Sequence, residues 1–404
     1  MNDRLPGGLL LGYSTNVHRG ETLEQVLRSL ENYTVPIRDR VFGAGKPAGL
    51  ELRIGIGAAR ALEVPKFYAL FRDFLDDAKL RLFSVNAFPL GDFHSERVKT
   101  RVYRPTWAQP VRARWTVAIA RVLADLMPDG IEGSISTLGG AYRAWGHTPR
   151  ALDAIAEGYL DALEGLREIE RDTGRTVVLA AEPEPDTTFE TADDVIRFVD
   201  ARLLPRARAR WRKKMSSAKV EATLRRLFTV NYDTCHHSVV FRDQIEELSL
   251  LRRAGIRVGK MHVSSALALP EPIENPEGYE CLRSLHEPRY LHQVRGVDAG
   301  GRVICNYADL NRIPRRAKTL ASKPVAEIRS HFHVPVNEER WRLLRTTRDE
   351  TRTAVLEALR TQATRQLVLE TYTWPILAEE SALIDGIVRE FRWLLGVIGE
   401  AKEV

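Results

Sequence analysis

The sequence predicts an α/β protein: a single (β/α)8 barrel over residues 1–404, with a long excursion at 264–329 after the seventh strand. Three observations carry this prediction. Eight short apolar runs recur along the 404 residues, separated by segments whose apolar positions repeat at helical spacing. Strands that alternate with helices pair in parallel through right-handed crossovers. Several of the runs end in an acid or an imidazole, and the carboxyl ends of barrel strands open on one shared face.

In chain order, Gly8–Ser14 (GLLLGYS) reads as the first strand, followed by a helix over Glu21–Tyr33 with Thr22 as its cap. Gly49–Ile56 alternates like a strand, and Val64–Leu80 carries a helical stripe of Phe67, Leu70, Phe71, Phe74 and Leu75. Leu82–Ala87 is the third strand, which empties into a long polar loop. Arg112–Leu126 is a helix and Gly133–Leu138 the fourth strand. Ala151–Thr173 is an amphipathic helix and Arg175–Ala181 the fifth strand, closed by Glu182-Pro183-Glu184-Pro185. The helix Thr191–Leu203 leads through a basic segment to the sixth strand, whose exit is Thr229–Ser238 (TVNYDTCHHS). Gln244–Arg253 is a helix and Val258–Val263 the seventh strand. Ser264–Arg329 has no clean period and several prolines, so little core of its own is expected there, and Ile328–Val336 brings the chain back. Asp349–Gln362 is helical, Gln366–Glu370 is the eighth strand, and Ala378–Ile398 is the closing helix. Gly55-Ile56-Gly57 lacks the third glycine and the acidic partner of a dinucleotide-binding turn.

Composition narrows the class. The apolar fraction is 44 %, the charged fraction 28 % and the formal charge +6, carried by scattered arginines. Only Leu204–Lys214 and Arg312–Lys318 are densely basic. Such runs are usually solvated faces, which argues against nucleic acid as a partner. Three widely spaced cysteines do not make a disulfide framework and suit a reducing compartment. The first residues are too short an apolar run for a secretory signal, and no stretch is long enough to span a bilayer. A cytoplasmic enzyme is expected.

The polar residues at the strand exits are selective. They are Glu182 after the fifth strand, Asp233 and His236 after the sixth, His262 on the seventh, His331 and His333 on the return, and Glu370 after the eighth. Oxygen and imidazole donors brought together suit a divalent metal of borderline character: zinc, manganese or iron. Gathered carboxylates without a cation would repel one another. Each residue also has a plainer reading. Asp233 could cap the following helix, Glu182 could pair with Arg53, His262 could be a core imidazole, and Glu370 could be a cap. Glu184 and His237 would stand behind the ligands, and Cys235 is either packing or a thiolate ligand. His94, Lys99 and Arg101, on the loop after the third strand, could recognise an anionic group such as phosphate. Asn16 and Trp374 complete the candidate substrate contacts.

This pattern resembles the xylose isomerase-like barrel superfamily, which includes sugar isomerases, epimerases and endonuclease IV. The parallels are the Glu after strand five, Asp233-Thr234-Cys235-His236 after six, the His on seven, the pair after it, and the Glu after eight. Where endonuclease IV has Asp-x-His, this chain has His331-Phe332-His333, and only His94 is placed to supply a further histidine. Along nearly the whole chain the sequence also resembles the metabolite traffic protein EboE family, through Leu11–His18 (LGYSTNVH), Asn86-Ala87-Phe88-Pro89, Val102–Trp107 (VYRPTW) and Asn231–His236 (NYDTCH). The resemblance implies a place in a bacterial gene cluster that handles a secondary metabolite, with a small-molecule metabolite and proteins of that cluster as partners.

Three functions follow as expectations. The first is a metal-dependent sugar-phosphate isomerase or epimerase acting on a sugar-like or polyol-like metabolite, with Glu182 or Glu370 removing a proton alpha to a carbonyl. The second is a metal-dependent phosphoester hydrolase. The third is a barrel that binds or delivers a metabolite without catalysis.

Overall fold

In this computed structural model, residues 8–322 and 324–401 are described. The barrel strands are β1 (Leu10–Tyr13), β2 (Ala48–Arg53), β3 (Leu80–Asn86), β4 (Gly133–Leu138), β5 (Val177–Glu182), β6 (Phe228–Asp233) and β7 (Val258–Val263). After six intervening strands the eighth arrives as β14 (Gln366–Leu369). They form one eight-stranded sheet in the order β1-β14-β7-β6-β5-β4-β3-β2, every pairing parallel. A parallel bridge between Ser14 and Glu51 joins its two edges. The central strands β4 to β7 are buried along their whole length, as helices on the outside and packed side chains within require.

Helix starts follow local chemistry. Thr22 makes a reciprocal capping box with Gln25, and Thr148, Thr191, Ser216 and Asp243 each accept a backbone N–H from the first turn. Two helices run past their expected ends. The chain continues beyond Tyr33 and Leu203 through five-residue π turns, Leu30–Thr34 and Val199–Leu203, each just ahead of a proline, Pro36 and Pro205. Proline has no N–H to donate and its ring crowds the preceding turn, so a locally widened ladder keeps the helix going.

The segment after β7 builds a second sheet. It contains β8 (Ser265–Pro270), β9 (Val294–Val297), β10 (Val303–Tyr307), β11 (Glu327–Val334), β12 (Arg340–Trp341) and β13 (Leu344–Thr346) in the antiparallel order β10-β9-β11-β8-β13-β12. It buries its own cluster, including Leu269, Tyr279, Leu282, Ile328, Phe332 and Leu344, where the sequence reading expected little core. Prolines and irregular spacing hide short antiparallel strands that alternate imperfectly. The β11–β8 register breaks between Ser330 and Val334, so His331 and His333 leave the ladder. Such irregularities re-aim side chains beside functional sites.

The basic run Leu204–Lys214 lies mostly on a helix whose arginines pair with acids of the helix Pro149–Thr173, among them Arg206 with Asp153 and Arg210 with Asp161. Among the described residues no helix is long and apolar enough to cross a membrane.

Candidate metal centre

Glu182 and Asp233 are the last residues of β5 and β6, His262 is the penultimate residue of β7, and Glu370 follows β14. One donor atom from each of these four lies within 4.8 Å of all the others. His262 Nδ1 stands 3.0 Å from Glu370 Oε2, 3.7 Å from Asp233 Oδ2 and 3.8 Å from Glu182 Oε1. Asparagines tie down the other oxygens. Asn231 Nδ2 donates to Glu182 Oε2 at 2.8 Å, while Asn16 and Asn86 donate to Glu370 Oε1 at 2.8 and 3.2 Å.

Asp233 is the helix cap that its plainer reading expected, and it keeps one oxygen free of that task. Its Oδ1 accepts the N–H of His236 at 3.1 Å, as a helix cap, and the Ser264 hydroxyl at 2.7 Å. Its Oδ2 is buried and has no hydrogen-bond partner among the described residues.

Beside this group lie three imidazoles. The Nδ1–H of His236 donates to the Pro183 carbonyl at 2.9 Å, and that of His333 to the Glu370 carbonyl at 2.6 Å. His331 Nδ1 is 2.7 Å from Gln293 Oε1, and the amide nitrogen of Gln293 donates to Pro185 O and Tyr103 Oη, which leaves Oε1 as the acceptor. A carbonyl only accepts, so each ring carries a proton on Nδ1 and, when neutral, a lone pair on Nε2. His236 Nε2 and His331 Nε2 are 3.0 Å apart. His333 Nε2 has no hydrogen-bond partner among the described residues and lies 3.9 Å from Asp233 Oδ2.

Charge reinforces the geometry. Burial, then the neighbouring Glu370, Asp233 and Glu184, push the Glu182 carboxyl well above the usual range against the pull of His262. Burial also opposes ionisation of Asp233, but His236, His333 and His262 outweigh it and hold the group low. Burial lowers His236 to about 3 and takes His331 well below its ordinary value, so both rings are neutral, as ligation requires. Burial raises Glu184, bonded to Tyr103 Oη at 2.7 Å, to about 8. Three acids at one point, an orphaned carboxylate oxygen and an orphaned imidazole nitrogen fit one or two divalent cations.

The expected substrate contacts divide. Asn16 is in place on Glu370. Lys99 Nζ is held by Glu287 O at 2.8 Å, Tyr290 O at 2.6 Å and Asp309 Oδ2 at 2.6 Å, so it pins its loop to the inserted segment instead of offering a free charge. Arg101 is exposed. His94 and Trp374 line a different cavity, of about 440 Å³, with His18, Arg19 and Arg289; Trp374 Nε1 donates inward to Glu390 at 2.8 Å. His94 and Trp374 stand apart from the four clustered donors, beside the exit of β1, whereas Lys99 lines the cavity over Glu182 and Glu370. His237 stacks on Tyr232 at 4.1 Å and faces Glu247, away from the centre. Arg53 pairs with Glu21, not Glu182. A Cys235 donor atom lies within 4.8 Å of donors on His331 and His333.

Sequence reasoning missed Glu51, Lys260, Asn231, Asn86, Gln293 and Tyr103. Period two held a signal for some of them: Asn231 shares a strand face with Asp233, and Lys260 with His262.

No family model matches the chain, and no curated protein matches it. Solved structures do. A xylose isomerase-like TIM barrel protein from Mycobacterium smegmatis, in complex with magnesium, matches with a TM-score of 0.51 at 13 % identity, over 97 % of each chain. The chain has the xylose isomerase-like barrel fold. A xylose isomerase domain protein from Alicyclobacillus acidocaldarius matches with a TM-score of 0.48 at 10 % identity, over 97 % of this chain and 99 % of that one. An L-ribulose 3-epimerase matches with a TM-score of 0.46 at 12 % identity, over 97 % and 95 %.

Proposed function

We propose that this barrel is a divalent-metal-dependent isomerase or epimerase of a small sugar-like or polyol-like metabolite, in the kind of pathway that the EboE resemblance implies. The observation that carries the reading is the mutual approach, within 4.8 Å, of donor atoms on Glu182, Asp233, His262 and Glu370. These residues would hold zinc, manganese or iron, with His236, His331 and His333 available to a second ion. A bound cation would polarise a substrate carbonyl and stabilise the developing oxyanion.

The remaining work falls to the chain itself. Asn231 holds one oxygen of Glu182, and Asn16 and Asn86 hold one oxygen of Glu370, so each carboxylate presents its other oxygen to the centre. One of the two takes the proton alpha to the carbonyl, and the other returns a proton from the opposite side. Phe88 and Tyr372 wall the cavity above them, about 60 Å³ in volume. Sugars are the substrate class because two adjacent oxygens and an acidic C–H suit one cation flanked by two carboxylates.

A second reading, a metal-dependent phosphoester hydrolase, is favoured by one observation, the trio of bare Nε2 atoms beside Asp233. One experiment separates these readings from a non-catalytic carrier. The protein is loaded with manganese, zinc or iron and incubated in D2O with ketopentoses, ketohexoses and their phosphates. Deuterium at the carbon next to the carbonyl, lost in Glu182→Gln and Glu370→Gln, supports the isomerase. Released phosphate without deuterium supports the hydrolase. Protein that neither takes up nor is stabilised by any cation leaves the carrier.

A further inference from the structure

The inside of a barrel of this kind is ordinarily packed with branched apolar side chains. Here a carboxylate and an ammonium lie within it. Glu51 on β2 and Lys260 on β7 are fully buried and in direct ionic contact across the barrel. Ser84 on β3 locks the pair, donating to Glu51 Oε2 at 2.7 Å and accepting from Lys260 Nζ at 3.0 Å. Burying two charges is costly, and an apolar pair of similar volume would often serve stability as well.

The other oxygen of Glu51 shows what the pair is for. Glu51 Oε1 lies 3.0 Å from Nε2 of His262. A carboxylate accepts, so His262 carries its proton on Nε2. The opposite nitrogen, Nδ1, is the one facing Glu370, Asp233 and Glu182. The amide nitrogen of Asn231, oriented by its bond to Glu182, sits 3.0 Å from the same Nδ1 and ties His262 to the carboxylates. Lys260 supplies the counter-charge that lets a carboxylate stand in a closed interior. The spacing on β7 follows, since Lys260 and His262 are two apart and share one face.

We infer that Glu51 and Lys260 form a positioning pair that fixes the ring proton of His262 on Nε2 and so directs Nδ1 at the cation. This rests on the metal-centre reading above and extends it to residues that touch neither cation nor substrate.

The test uses the full chain with Glu51→Leu and Lys260→Met combined, so that neither charge is left alone. The double variant should keep its circular dichroism and a cooperative melt, and bind manganese or zinc ~10- to 100-fold more weakly than the wild type, the usual penalty for losing the group that orients a histidine ligand. In the metal-free wild type, ¹⁵N-edited spectra should show a solvent-protected Nε2–H proton assigned to His262 (by its absence in His262→Gln) that is lost in the double variant. Unchanged affinity together with an unchanged ring proton would overturn the proposal. A variant that fails to fold leaves the wild-type spectrum to decide, and a His262 protonated only on Nδ1 there would overturn it too. Wild-type protein that binds no cation would sink the metal-centre reading instead, and the ring proton would still show whether Glu51 fixes the imidazole.

Discussion

The Nε2 atoms of His236 and His331 face each other at 3.0 Å, each ring having committed its Nδ1–H elsewhere. Two lone pairs at that distance are stable only with something positive between or beside them. Zinc added to metal-free protein is therefore expected to raise its melting temperature. Saturation at ~100 times Kd would correspond to about 2.7 kcal/mol. His331→Ala should lower the zinc equivalents retained after dialysis while leaving the equivalent held by Glu182 and His262. Elemental analysis of the two proteins checks this.

Asp233 offers a cleaner dissection. Asp233→Asn keeps an acceptor for the His236 N–H, whereas Asp233→Ala removes cap and charge together. Both should weaken metal binding by ~10- to 100-fold or more. Only the alanine variant should also lose about 1 kcal/mol of metal-free stability through the lost cap. Calorimetric titration and denaturant melts separate the two effects.

Gly158 tests how the outer layer docks. A Cβ there would sit 1.9 Å from the carbonyl oxygen of Trp107, whose ring stacks on Tyr159. Gly158→Ala should cost about 1–3 kcal/mol through forced displacement of the helix Pro149–Thr173, despite alanine's better helix propensity. A more stable variant would refute the tight packing.

The pH dependence of stability should bear the mark of His18. Burial, aided by His94, lowers it to about 3, and its Nε2 accepts from Tyr13 Oη at 2.9 Å. Below about pH 6.5 the unfolded chain takes up a proton that the folded ring refuses, so stability falls as pH drops from 6.5 toward 3 and is insensitive to this group above 6.5. His18→Gln, which keeps an acceptor, should flatten that slope by up to ~1.4 kcal/mol per pH unit. Melts at pH 4 and pH 7 measure it.

Lys99 joins the long loop after β3 to the inserted segment. Lys99→Met removes three hydrogen bonds from an ammonium and should loosen residues 88–104, at about 1.5–3 kcal/mol of local stability for a charged hydrogen-bonded group. Faster amide exchange confined to that loop and to residues near Asp309 is the expected readout.

The strand exits were legible because they obey one-dimensional rules. Gly133–Leu138 and Val258–Val263 coincide with the strands found, and Glu182, Asp233, His262 and Glu370 announce themselves as polar residues that end apolar runs. His94 and Trp374 misled for the opposite reason. They sit on loops, and no periodicity says which way a loop folds. Gln293 and Tyr103, which orient His331 and Glu184, lie 190 residues apart in the chain and meet at 2.9 Å.

The sequence by itself therefore determined the alternation of strands and helices, the parallel barrel that alternation implies, and the four residues able to share a cation. These are consequences of period and of the face on which strand ends open. Only the tertiary structure decided which nitrogen of each histidine is bare, that a buried ion pair stands behind His262, and that the segment after β7 folds into a sheet carrying His331 and His333 over the mouth. Those outcomes depend on hydrogen bonds and charges brought together from distant stretches of chain, and such a meeting is a property of three-dimensional packing that no local pattern records.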